Sequence, residues 1–443
     1  MTVPTEDGAQ KTTKLECISR RAQYQKDTVF NNIGHVVDLD LLRASYQELD
    51  GKKAIGIDGV GKRNYGAKLE ENLQDLLGRI RRNAYKPRPA RMVEIPKEDG
   101  STRPLAISCF EDKIVQVAVT KILTAVYEPT FLPCSYGYRE GKSGHDALRA
   151  LMRYSNQSKD GMTLEIDVRK YFNSIPHAKL QEILREKIAD KKFLKLVEKL
   201  IRAPIMVNGR AELNKIGCPQ GSIISPILSN IYLHKVIDSW FSEISQSHLG
   251  GRAGMVRFAD DMVFVFQKKE DAEKFYRTLP KRLEKYGLKL HEDKSSMIRT
   301  GSIAAKEAEE RGERLSTYKF LGFTCYWGKS QSGRFRLKFK SRSDRRTAKL
   351  KGLREYLKKS LSEETAKTLM RVKRIVQGWI NYHAISDNQA QVSSFMRESK
   401  RELFKWINRK GGKRKRNWTR FGNWLKMINY PQGFKTKSMF APG

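Results

Sequence analysis

Apolar residues recur along this chain with two different periods. Leu39, Leu42, Tyr46 and Leu49 fall three and four apart, as do Leu69, Leu73, Leu76, Leu77 and Ile80, so each stretch predicts an amphipathic helix. Tyr85-Lys86-Pro87-Arg88-Pro89 ends the second, because a residue before proline is driven out of the helical region. Residues 91–96 alternate instead. Lys97-Glu98-Asp99-Gly100 then reads as a turn and Thr102–Ile107 as the returning strand of a β-hairpin. Asp112–Tyr127 reads as a helix. After residue 340 the helical period dominates, through Leu350, Leu353, Leu357 and Leu361, then Leu369, Val372, Val376 and Trp379, then Phe395 to Ile407. The pattern predicts an α+β body followed by a helical bundle, with residues 1–35 polar and partly flexible and no internal repeat.

Two apolar runs carry acids. Met255-Val256-Arg257-Phe258 and Met262-Val263-Phe264-Val265-Phe266 read as paired strands, with Ala259-Asp260-Asp261 at their connection. Upstream, Leu164, Ile166 and Val168 fall on one face of a strand, and Glu165 and Asp167 on the other. Asp favours turns, so the pair alone also reads as an ordinary hairpin tip. Neighbouring buried carboxylates are costly unless cations offset them, and three from two strands suit two divalent ions. Two Mg²⁺ ions roughly 3.5–4 Å apart are the arrangement for in-line nucleotidyl transfer.

Composition narrows the partners. The 443 residues hold 86 Lys+Arg against 49 Asp+Glu, a net charge of +37. At roughly 100–200 residues per domain the length allows two to four domains. Five scattered cysteines without a C-x-x-C pair exclude a zinc finger and argue against a disulfide scaffold. No run approaches the roughly 18–20 apolar residues of a membrane span, and the first 30 residues lack a signal-peptide pattern. A polyanion is the expected partner, nucleic acid by default. From Lys329 onward there are 31 Lys+Arg and 7 Asp+Glu, a net of +24, leaving +13 for the body. The division falls at the Gly328–Gly333 turn. In the tail the cations interleave with Trp406, Trp418, Phe421 and Trp424, which suits looped or single-stranded RNA and equally suits a small helical core.

The order of segments resembles a bacterial group II intron-encoded reverse transcriptase/maturase, from about Leu39 to about Gly433. Phe258-Ala259-Asp260-Asp261 resembles the family's catalytic box. Gly217-Cys218-Pro219-Gln220-Gly221-Ser222, followed by Asn230-Ile231-Tyr232-Leu233-His234, is similar to its Pro-Gln-Gly box. Ser135–Arg139 with Gly141, Ser143 and His145 resembles its insertion segment, and Tyr318–Phe323 its primer grip. Ile375–His383 resembles its maturase segment. Phe258, Asn173, Cys218 and Ser222 depart from the commoner pattern without removing a metal ligand or the gate.

The resemblance implies a right-hand polymerase with fingers and palm and a C-terminal α-helical thumb/maturase domain. Its expected divisions are 1–90 (N-terminal extension and first fingers segment), 91–335 (fingers and palm), 336–400 (thumb/maturase) and 401–443 (basic aromatic extension). It implies Asp167, Asp260 and, third, Asp261 as catalytic ligands of two Mg²⁺, with Mn²⁺ an alternative. Lys97, Arg103, Phe172, Gln220 and Lys294 would contact dNTP, with Phe172 as the gate against a ribose 2′-hydroxyl. Lys97 and Arg103 read as two cations facing each other across the hairpin, and Gln220 as part of a turn at a helix start. Leu321 and Gly322 would grip the primer. Arg345, Arg346, Arg374, Lys413, Arg414, Arg416 and Trp418 would bind RNA. The implied partners are group II intron RNA, an RNA template with a DNA primer, target DNA and dNTPs, in the bacterial cytoplasm or nucleoid and without a membrane, the oligomeric state left open. Cys325 and His383 are the last of their kinds, so no Cys/His-rich endonuclease domain is expected. The rival readings are a domesticated enzyme of defence or repair, and a splicing cofactor with a vestigial polymerase.

Overall fold

The structure, a computed structural model, describes residues 13–96, 102–207, 209–410 and 416–440. Its strands are β1 (Ala90–Pro96), β2 (Thr102–Ile107), β3 (Gly161–Ile166), β4 (Ile205–Val207), β5 (Arg210–Glu212), β6 (Ala253–Phe258), β7 (Asp261–Phe266) and β8 (Ser296–Thr300). β9 (Tyr318–Phe320), β10 (Phe323–Lys329) and β11 (Phe335–Ser341) follow. They build three sheets, ordered β2-β1-β4-β5, β6-β7-β3-β8 and β11-β10-β9. The predicted hairpin is β1–β2, with Ile95 opposite Arg103; its expected turn at Lys97–Gly100 lies outside the described residues.

The β6-β7-β3-β8 sheet is antiparallel throughout and is covered on both faces. Leu164, Ile166, Met255, Phe264 and Phe266 enter the largest core, together with the helices Phe110–Tyr127 and Ser225–Leu233. Val256, Val263 and Val265 point the other way, into a second core with Ala147, Leu148, Tyr318, Phe320 and Phe339. This is the period-two alternation of strands, buried here on both sides because helices and the β9–β11 sheet flank it.

Three expectations need correction. The Gly328–Gly333 turn is the tip of the β10–β11 hairpin, where Lys329 pairs with Phe335. Leu337 and Phe339 belong to the second core, so the body runs on through Ser341 rather than ending at 335. The division at 400/401 cuts the Gln389–Lys410 helix, and Phe421 and Leu425 share one core with Leu353, Val372, Val376 and Phe395. The helices Ser343–Lys359, Thr365–His383, Gln389–Lys410 and Trp418–Met427 therefore form one helical unit. Leu361 does not extend the first of these; it sits in the 3₁₀ turn Ser360–Ser362 and is exposed.

Near the start, in the polar segment to which the spacing assigns no element, Lys14–Tyr24 is helical. Thr13 and Glu16 cap it reciprocally, and it buries only Ile18 and Ala22, a stripe too thin to show as a period. Far along the chain, Lys437 bridges to Ile385, and Met439 and Ile385 both pack in the second core. All five cysteines are free. Among the described residues no helix is long and apolar enough to cross a membrane.

Candidate active site

The β6–β7 turn is as tight as a hairpin allows, with Phe258 opposite Asp261. Ala259 takes a left-handed φ of 55°, a strained choice for a residue with a Cβ, and this presents Asp260 and Asp261 at the sheet's end. Asp167 emerges beside them, because β3 pairs with β7 up to Ile166 opposite Met262. The 289–295 segment holds Asp167 in place. His291 N–H donates to its carbonyl at 2.8 Å, and its own N–H donates to Ser295 Oγ at 3.1 Å. Lys294 Nζ lies 3.8 Å from Asp167 Oδ2.

The acids feel one another. Burial, then the charges of Asp260, Asp167 and Glu165, push Asp261 up to about 6. Burial and Asp167 also raise Asp260, against the pull of Arg103 and Arg257. Asp261 is open to solvent on its cleft side yet ringed by protein elsewhere, which reconciles an exposed surface with a desolvated carboxyl. Among the described residues no three His, Cys, Asp or Glu groups close into a ready-made metal cage. The acids instead offer under-compensated negative charge on an open cleft. That suits a hard cation which completes its shell with phosphate and water oxygens.

Beneath the turn lies a feature that the sequence reading passed over. Arg257 is 0% exposed and uses all five of its N–H donors. Nε and Nη2 reach Asp238 at 2.7 and 2.5 Å, Nη2 also reaches Ser135 Oγ at 2.7 Å, and Nη1 reaches Asn230 Oδ1 and the Ala259 carbonyl at 3.0 Å each. The last bond fixes the strained residue just before Asp260. Gly137 packs on the same turn so closely that a Cβ would sit 2.3 Å from Ala259 N, and Asn230 donates to its carbonyl at 2.8 Å. Arg257 was visible as a charge inside an apolar strand; nothing local in sequence pointed to Asp238 or Ser135. Tyr138, at φ 59° and with its ring surface exposed, also faces the acids; desolvation, then the charge of Asp260, raises its pKa.

On the nucleotide side, Phe172 is half-buried, edge-on to Tyr171 at 5.2 Å, and its carbonyl accepts from Cys218 N–H at 2.7 Å. The Pro219-Gln220-Gly221 turn thus sits beside Phe172. Gln220 carbonyl accepts from Ala106 N–H at 2.7 Å, which ties the turn to β2. Gly221, at φ 96°, meets the Ala106 carbonyl at 2.9 Å from a virtual Cβ, so protein packing already requires glycine there. The helix starts at Ser225, a few residues past the turn rather than at it. Arg103 is exposed on β2 and acts on Asp260, but the residue facing it across the hairpin is Ile95 rather than the expected Lys97, which lies outside the described residues.

A cavity of about 840 Å³ opens from Asp261 towards the helical unit, lined by Leu321, Gly322, Arg345, Arg374 and Tyr382 among others. Leu321 and Gly322 form the β9–β10 turn, both at positive φ, and Tyr382 Oη donates to the Leu321 carbonyl at 2.8 Å. Arg345 and Arg374 therefore join the cleft. Arg346 does not: it pairs with Glu398 at 2.7 Å and donates to Gln391, so its role is to brace the bundle. Arg416 stacks over Trp424, and Trp418 lies on Phe404 with ring centroids 3.8 Å apart. Lys413 and Arg414 lie outside the described residues.

An acid pair on the turn of an antiparallel sheet, opening onto a basic cleft, is the arrangement of a polymerase palm. Residues 95–325, just over half of the chain, match the family described as reverse transcriptase (RNA-dependent DNA polymerase), and the chain belongs to that family. It is 33% identical over 224 residues to the group II intron-encoded protein LtrA of Lactococcus lactis, which is 50% of this chain and 37% of that protein. It is 35% identical over 206 residues to protein YkfC of Escherichia coli K12, 46% of this chain and 53% of that protein. An uncharacterized 91 kDa protein in a cob intron of Schizosaccharomyces pombe is 32% identical over 226 residues, 50% of this chain and 28% of that one. Each match spans little more than half of the relative's length, or less. Relatives occur in fungi as well as bacteria, so a bacterial origin does not follow.

Proposed function

We propose that the chain is an RNA-directed DNA polymerase that works with a group II intron RNA, assists its splicing and copies it into cDNA during retrohoming. The observation that carries the polymerase reading is the Asp260–Asp261 turn beside Asp167. The intron reading rests on relatives named for introns and on the basic helical unit, taken here as a thumb/maturase domain.

Asp167 and Asp260 would hold the divalent ions, with Asp261 third. Bound Mg²⁺ supplies charge neutralisation for attack by a primer 3′-hydroxyl and departure of pyrophosphate. Arg103, with Lys97, pairs with triphosphate oxygens, and Lys294 answers charge on the leaving group. Phe172 closes the space beside the sugar, and the Gln220 turn backs it. The Leu321-Gly322 turn supports the primer end, while Arg345 and Arg374 take the strand's phosphates.

Primer extension on an RNA template tests this. Asp260→Asn is expected to abolish extension while leaving RNA affinity intact, and extension undiminished by that change would sink the assignment. Sequencing the RNA that co-purifies with the protein tests the intron partner, which is expected to be a single structured species.

A further inference from the structure

The helical unit holds a second concavity that shares no residue with the catalytic cleft. Its volume is about 540 Å³, within the range of small-molecule sites. One wall is the Gln389–Lys410 helix, which supplies Arg397, Lys400 and Arg401, three and four positions apart and so side by side. The acids of the same stretch, Glu398 and Glu402, are engaged with Arg346 and Arg354, and no ion pair holds the three cations among the described residues. The other wall is aromatic, made by Trp418 and Phe434. Trp418 has one ring face on Phe404 and is 50% exposed.

Tyr430 lines this cavity too, 3% exposed, with a hydroxyl that has no hydrogen-bond partner among the described residues. Buried hydroxyls are ordinarily paired. The backbone holds Tyr430 firmly in place. Asn429 turns the chain at φ 51°, Tyr430 N–H donates to the Leu425 carbonyl at 2.8 Å, and Lys373 caps the Ile428 carbonyl at 2.7 Å.

We propose that this cavity binds one unstacked nucleotide of an RNA strand, its base against Trp418 and Phe434, its edge on the Tyr430 hydroxyl and its flanking phosphates on Arg397, Lys400 and Arg401. The assignment rests on reading the helical unit as RNA-binding. Folded RNA presents splayed bases in loops and bulges, whereas duplex DNA presents none, and the cavity is sized for a nucleotide rather than a helix.

The test uses the full chain, an RNA hairpin with a fluorescent purine analogue in its loop, the same hairpin with an abasic loop, and a DNA hairpin of equal sequence. Tyr430→Phe removes one oxygen that pairs with nothing among the described residues, so the fold and primer extension are expected to be unchanged. It is expected to weaken binding of the base-bearing RNA loop about fivefold, the scale of one hydrogen bond, and to leave the abasic loop unaffected. Arg397→Ala with Lys400→Ala is expected to weaken both loops and lower the salt slope by about 1.4. A Tyr430→Phe protein that discriminates base-bearing from abasic loops as the parent does would overturn the pocket while leaving RNA binding standing. No hairpin binding by the parent would overturn the underlying RNA reading instead. An equal response to the DNA hairpin would overturn the RNA assignment.

Discussion

Arg257 carries more of the candidate active site than any residue except the acids. Its guanidinium is the only described donor to the Ala259 carbonyl, and its charge is balanced by Asp238, itself fully buried. Breaking one partner of such a pair strands the other, which costs about 3–5 kcal/mol. Asp238→Asn is expected to lose stability on that scale in chemical denaturation. Arg257→Met with Asp238→Leu should be less destabilised than either single change, yet extend primers poorly, because the turn has lost its holder. Full activity in a stable double variant would show that the turn holds itself. At this scale the sequence was half legible. Asp167, Asp260 and Asp261 stood out as acids in apolar strands. The network beneath them did not, because Ser135, Asn230, Asp238 and Arg257 meet only in three dimensions. Phe172 makes a further test: Phe172→Ala is expected to raise ribonucleotide incorporation in single-nucleotide extension assays, and unchanged sugar selectivity would count against a gate.

Elements were legible where apolar spacing was regular and misread where charge was taken as a guide. The helices after residue 340 fell where the leucine and valine spacing put them. The charge division falls at a hairpin tip, and the implied divisions at 335 and 400 fall inside a strand and a helix, because charge reports the surface and cores decide where units end. The joint between body and helical unit turns on His383. Its Nδ1 meets Ser341 Oγ at 3.0 Å, its ring stacks on Trp379 at 3.9 Å, and Asn388 bridges its carbonyl to Ser341. Burial, with His145 nearby, pushes His383 down to about 4 from 6.5. The unfolded chain therefore takes up a proton below 6.5 that the folded chain refuses until about 4. Stability from this group is complete above 6.5 and falls as the pH drops towards 4, by up to about 3 kcal/mol. His383→Phe keeps a ring but cannot titrate. Its melting temperature should lie below the parent's near pH 7, and the gap should narrow as the medium is acidified to pH ~4. A constant gap would exclude His383 as the sensor.

At the scale of the whole molecule, cations of the segment from Lys329 onward, net +24, line the catalytic cleft as well as a second cavity, so the segment is not a separate basic tail. Removing residues 340–443 would not isolate its contribution, since Ile385 and Met439 complete a core of the body. Neutralising Lys349, Arg371 and Arg374, which line the cleft, is the cleaner experiment. It should lower the slope of log affinity for single-stranded RNA against log salt by about 2. Neutralising the exposed body residues Lys52, Lys53 and Lys281 should lower it less, and equal effects would mean that position does not matter.

The bridge between Lys437 and Ile385 also sets an order of events during synthesis. A nascent chain leaves the ribosome from its N-terminus and its units fold as they emerge. The wall of the second core that Val256 and Val263 share with Met439 stays open until residue 439 has been made. Every element that carries the acids is then already outside the ribosome. The palm is thus born unfinished, and the chain seals it only once residue 439 has emerged.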